Sequence, residues 1–128
     1  MVTVSRVEAS FASYRLSLIR GFALEFQRVG LYDTGFADAF REGGATRAED
    51  CTAMRISLAY VKGCADTARV ACRYMSAAWH IAHILGLAVA SLDLALQQDY
   101  PAVRVERMID TYRRELAALL PARAVETG

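Results

Sequence analysis

The sequence predicts an all-α fold: an antiparallel bundle of four principal helices with one short connector helix. Three observations predict it. Alanine occurs 23 times among the 128 residues, and alanine loses no side-chain entropy in a helix. Ser5 and Glu8 stand three apart, as do Thr46 and Glu49, and such capping boxes satisfy two orphan N–H groups at a helix start. From Cys51 to Val89, apolar or small residues recur at spacings of three and four, which is the period of a helix-packing face.

The first helix is expected over about 5–29, with Val4 as a hydrophobic staple, Val7, Phe11, Tyr14, Leu18, Phe22, Phe26 and Val29 on its apolar face, and Gly30 as its stop. A hairpin competes over 14–29, because Tyr14, Leu16 and Leu18 alternate with polar residues and Phe22, Leu24 and Phe26 do so again after Gly21. Residues 30–45 hold Gly30, Gly35, Gly43 and Gly44 and read as a connector. Within it Phe36 and Phe40 lie one helical turn apart, so a short helix over about 34–42 would dock both rings.

The long seam then runs Cys51, Met54, Leu58, Val61, Ala65, Ala68, Cys72, Met75, Trp79, Ala82, Gly86 and Val89. Its small members would let a neighbouring helix come close, so the pattern predicts a bundle rather than a two-stranded coil, which favours Leu and Ile at the seam. The expectation is a buried Leu58 and Trp79. Thr52, Arg55, Lys62, Asp66, Arg69, Arg73, Ser76, His80 and His83 form the polar counterface, with Asp66, Arg69 and Arg73 exposed. One unbroken helix over 46–98 would be about 80 Å long at ~1.5 Å per residue, too long for a small bundle. A break is placed at 62–66, where Lys62 and Gly63 read as a turn and Asp66 as a new cap. Gln97 to Tyr100 end the long element and Pro101 suits the first turn of the next. That last helix packs Val105, Ile109, Tyr112, Leu116 and Leu119 inward, with Arg104, Glu106, Arg107, Asp110, Arg113 and Arg114 outside, until Pro121 stops it. A single domain over 1–121 follows from the length, with a loose tail over 122–128.

Composition excludes several classes of protein. Hydrophobic residues make up 55% and charged residues 23%, with a mean hydropathy of +0.20, so the chain is not intrinsically disordered. A formal net charge of +1 argues against nucleic-acid binding, which favours a strongly basic balance. Three cysteines in no framework spacing, and no apolar stretch after a basic start at residues 1–10, fit a reducing cytoplasm. Cys51 and Cys72 fall on the seam and are expected in the core, which leaves Cys64 as the candidate reactive thiol.

No serine elbow, phosphate loop or paired-carboxylate motif is present, so an enzyme is not the expected reading. His80 and His83, at i and i+3, are weak candidates for a haem or metal ligand, although none of the usual accompanying ligand motifs occurs. Residues 74–92 hold nineteen positions without Asp, Glu, Lys or Arg, which approaches the length of a membrane span. Alanine, histidine and serine dilute it below the composition of an inserting segment. Past His83 the polar line continues as Leu87, Ala90 and Leu94, and the solvent face disappears. The expected function is therefore association: a small non-enzymatic adaptor, chaperone or regulatory subunit that self-associates or binds a protein partner through those three residues. A haem- or metal-binding bundle using His80 and His83 is the alternative, and a small membrane-associated subunit is the third.

Overall fold

The computed structural model describes residues 13–25 and 36–119, and its regular elements there are all helical. Helix α1 covers 13–25, α2 Phe36–Gly43, α3 Cys51–Ala71, α4 Ala77–Gln97 and α5 Ala102–Ala117, with a 3-10 turn at Ala45–Arg47. Four principal helices and one short connector thus build an all-α bundle around one buried cluster to which every helix contributes. Helix, not hairpin, is formed over 13–25. Residues 26–29, the capping box at Ser5 and Glu8, Pro121 and the segment 122–128 lie outside the described residues.

Helix α1 turns a different side inward from the one expected. Leu16, Ile19, Phe22 and Ala23 are buried, Leu18 is half-buried and Tyr14 is exposed. Apolar residues occupy more than half its circumference, so its neighbours decide the rotation. Arg20 donates to the Ala48 carbonyl at 2.6 Å, Arg15 pairs with Asp99 at 3.6 Å and Glu25 with Arg113 at 2.7 Å. The last two contacts run α1 alongside α5 in the same direction.

In α2, Phe40 is fully buried and meets Phe22 edge-on at 6.3 Å between ring centres. Gly44, at φ +78°, ends the helix in the left-handed conformation, its N–H reaching the Phe40 and Arg41 carbonyls. Gly43 lies against α3: a Cβ there would stand 3.1 Å from the Tyr60 ring and 3.2 Å from the Ser57 carbonyl. The Ser57 hydroxyl donates to the Gly43 carbonyl, tying α2 to α3.

Two expected boundaries move. Residues 45–47 wind as a 3-10 turn, so Thr46 and Glu49 do not cap a helix; Asp50 caps α3 instead, accepting from the Ala53 N–H at 2.7 Å. The long seam breaks at 72–76, not at 62–66. Gly63 lies inside α3, and Asp66 pairs with Lys62 at 2.7 Å one turn back rather than starting a helix. Ser76 caps α4 by accepting from the Trp79 N–H at 3.2 Å, and Met75 supplies a positive φ of 66° that non-glycine residues rarely adopt.

The seam therefore works as two separate faces. Met54, Leu58, Val61 and Ala65 are buried on α3, and Ala82, Gly86 and Val89 on α4, whereas Cys51 and Met75 are exposed. Trp79 is only half-buried, a correction that follows from its place in the first turn after the break. Arg73 is exposed, but Asp66 and Arg69 are half-buried because the edge of α3 that carries them faces α4.

Helices α3 and α4 run antiparallel, with Arg55 bonded to Asp93 at 2.8 Å and Ala65 close to Gly86. The chain leaves α4 through a Schellman turn, in which the Tyr100 N–H reaches the Ala95 carbonyl at 2.9 Å and Asp99 takes φ 52°. Helix α5 turns back after Pro101, and Tyr112 and Ser91 share a hydrogen bond at 2.9 Å across it. Val105, Ile109 and Leu116 are buried as the sequence predicts, and its charged residues point outward.

A Cβ added at Gly86 would lie 3.7 Å from the Asp66 carboxylate and 3.8 Å from Ala65, ordinary contact distances. Gly86→Ala should therefore stabilise the protein by about 0.5–1 kcal/mol through helix propensity, read as a higher urea midpoint. Leu85→Ala, one residue away and fully buried, should cost about 2–5 kcal/mol. A lower midpoint for Gly86→Ala would show that α3 and α4 need the closer approach.

Candidate functional site

Helix α4 carries the candidate site because it is the most apolar element and the one with the least charge. Its inner side, Ile81, Ala82, Leu85, Ala88, Val89, Leu92, Ala95 and Leu96, is buried against the rest of the bundle. With 3.6 residues per turn, a stripe at Leu87, Ala90 and Leu94 then points away from both α3 and α5. All three are exposed, Leu87 by 49% and Leu94 by 44%. No charged side chain lies among them to draw the stripe into solvent. These three residues continue the line of Ser76, His80 and His83 along the helix, and they keep a solvent face where the sequence led us to expect none.

The two histidines sit one turn earlier, beside an aromatic cluster rather than in open polar surface. His83 stacks on Trp79 at 5.0 Å and 13°, while His80 and Tyr74 meet the same indole edge-on at 5.1 and 5.0 Å. The His83 Nδ1 is buried and has no hydrogen-bond partner among the described residues. Among the described residues no group of three or more His, Cys, Asp and Glu side chains converges as a metal site would require. His80 and His83 thus share a neighbour, and no third ligand stands with them among the described residues.

The cysteines exchange the roles expected of them. Cys51, on the seam by spacing, is exposed in the first turn of α3, whereas Cys64 packs against the core. Cys72 is half-buried at the end of α3. All three are free thiols, and none adjoins an imidazole in a nucleophile–base arrangement among the contacts described. A hollow of about 280 Å³ lies between α1 and α5, lined by Leu18, Gly21, Phe22, Ile109 and the polar Ser17, Glu106, Asp110 and Arg113. Arg113, the one cation of that lining among the described residues, is already held by Glu25 at 2.7 Å and Asp110 at 3.1 Å.

No family model, curated protein or solved structure matches this chain.

What the sequence reading missed is the outer side of α3. Ile56 and Val70 are exposed there by 66% and 82%. Their own spacing of three and four with Thr52, Ala59, Gly63 and Thr67 carried the signal, but the stronger buried seam on the same helix masked it.

The acidity of Tyr60, at the α2–α3 contact, is shifted by its neighbour. Its hydroxyl donates to the Glu42 carboxylate at 2.6 Å, and this bond, reinforced by the carboxylate's charge, pushes the phenol up to about 12 from its ordinary 10.0. Ionising the phenol would lose the donor and set two negative charges side by side. Glu42→Gln should let Tyr60 ionise at lower pH. The difference in tyrosinate absorbance between wild type and variant during an alkaline titration should show one tyrosine moving down, and superimposable curves would remove the bond from solution.

Proposed function

We propose that this chain is a non-enzymatic helical association module, an adaptor, chaperone or regulatory subunit that is completed by a protein surface laid on α4 at Leu87, Ala90 and Leu94. One observation carries the reading: the most apolar helix of the bundle leaves its outer stripe uncovered, with Leu87 and Leu94 each nearly half exposed. Apolar surface gains about 25 cal/mol per Å² when removed from water, so a covered stripe stabilises the assembly and an uncovered one favours sticking. Three free thiols fit a reducing compartment such as the cytoplasm.

Helix α4 also has the length and apolarity to cross a membrane, but half of its apolar stretch is buried inside the bundle. A helix already committed to a core on one side is better suited to a second protein surface than to lipid all round. The reading of His80 and His83 as haem or metal ligands draws on the buried Nδ1 of His83. An absorbance spectrum and metal content of the purified protein test it directly.

The association reading is tested by light scattering at rising concentration together with binding of an apolar fluorescent dye. Wild type should exceed the 14.1 kDa mass of one chain or bind the dye strongly. Leu87→Asp with Leu94→Asp should weaken both responses while keeping the helical circular dichroism. A wild-type protein that stays monomeric at high concentration and binds no dye would overturn the proposal.

A further inference from the structure

The outer residues of α3 and α4 form one face. On α3, Thr52, Ile56, Ala59, Gly63, Thr67 and Val70 follow one another at three- and four-residue spacing, and all are exposed and uncharged. On α4 the corresponding stripe is Leu87, Ala90 and Leu94. Between them runs a row of ion pairs: Arg55 with Asp93 at 2.8 Å, and Lys62 and Arg69 with Asp66 at 2.7 and 3.9 Å. Arg55, Lys62 and Asp66 sit on the edge of α3 turned toward α4, as Gly86 and Asp93 sit on the edge of α4 turned toward α3. The two uncharged stripes therefore flank one valley on the same side of the pair.

We infer that the partner is a second copy of this chain, joined by a two-fold contact in which this α3–α4 face packs on its equivalent. The inference rests on the association reading and adds the partner, the second stripe and the symmetry. Three features support it. In a two-fold contact a patch meets itself, so a strongly charged patch would meet like charge; here the stripes are uncharged and the valley's carboxylates each already hold a cation of their own chain. The outward surface of α5, by contrast, carries Arg104, Glu106, Arg107, Asp110, Arg113 and Arg114.

Size is the second feature. Two helices of 21 residues are each about 30 Å long, and with axes ~8–10 Å apart they present a face of roughly 600 Å² in projection. Accessible area exceeds projection, which brings the face close to the ~800 Å² per partner of a stable interface. Relief is the third. Ile56, Val70, Leu87 and Leu94 stand out, while Ala59, Ala90 and Gly63 leave low ground between them, and nothing lies within 4 Å of where a Gly63 Cβ would be. Such a surface has both knobs and hollows to offer its own copy.

The test is sedimentation equilibrium of wild type, Val70→Asp, Ile56→Asp with Val70→Asp, and Leu87→Asp with Leu94→Asp, each checked for unchanged helical circular dichroism. All four substituted residues are exposed in the single chain, so folding should survive. Wild type should sediment at twice 14.1 kDa, and the α3 and the α4 variants should each raise the dissociation constant at least tenfold. A dimer weakened by the α4 variant alone would overturn the shared face and leave the association reading standing. Mass that keeps growing with concentration would overturn the two-fold symmetry. A wild-type monomer would overturn the second copy as partner: dye binding would then point to a different protein, and co-sedimentation with phosphatidylcholine vesicles to a lipid surface.

Discussion

The molecule depends on one constraint: nineteen consecutive residues, 74–92, without a charged side chain, most of them in α4, whose inner side is buried against the rest of the bundle. Each buried leucine or valine of α4 contributes about 1.5–3 kcal/mol relative to exposure, while ordering each residue costs roughly 1–2 kcal/mol of backbone entropy. The remaining helices arrange themselves around this element. Helix α3 covers one flank by close approach at Ala65 and Gly86, and α5 covers the opposite flank with Tyr112 bonded to Ser91. Helix α1 adds Leu16, Ile19, Phe22 and Ala23 to the same buried cluster.

Polar groups then settle what the apolar groups leave undecided. Arg20 to the Ala48 carbonyl and Glu25 to Arg113 choose the rotation of α1, whose apolar residues would allow more than one. Ser57 on the Gly43 carbonyl and Tyr60 on Glu42 seat the connector helix on α3, and glycine at 43 is what lets it come so near. These bonds are individually worth about a kilocalorie or so. Their weight lies in selecting one arrangement among several of similar apolar burial.

The same division explains the outer surface. Charge is concentrated on α5 and in the row between α3 and α4, where it is paired, so the outward stripes of α3 and α4 are left apolar. Leu87, Ala90 and Leu94 were legible because a polar line of known register ended at them. Ile56 and Val70 were not, because an amphipathic reading credits each helix with a single apolar side, and that of α3 was already assigned to Met54, Leu58 and Val61.

By itself the sequence determined the class of fold, the identity of α5 and its two faces, and the short helix with buried Phe40. All of these rest on local periodicity and composition, which belong to a single helix. Tertiary structure decided the rest. An unbroken three-four pattern ran across 72–76, yet the chain turns there on Ser76 and a left-handed Met75, because α3 and α4 bury more by folding back on each other than by continuing. Asp50, not Thr46, caps α3, since the end of α2 fixes where that helix can begin. Trp79 became the centre of an aromatic cluster with His80 and His83 instead of a core residue, because the turn places it beyond the reach of the bundle's interior. Periodicity states which residues share a side of a helix; only the neighbours determine which side is covered.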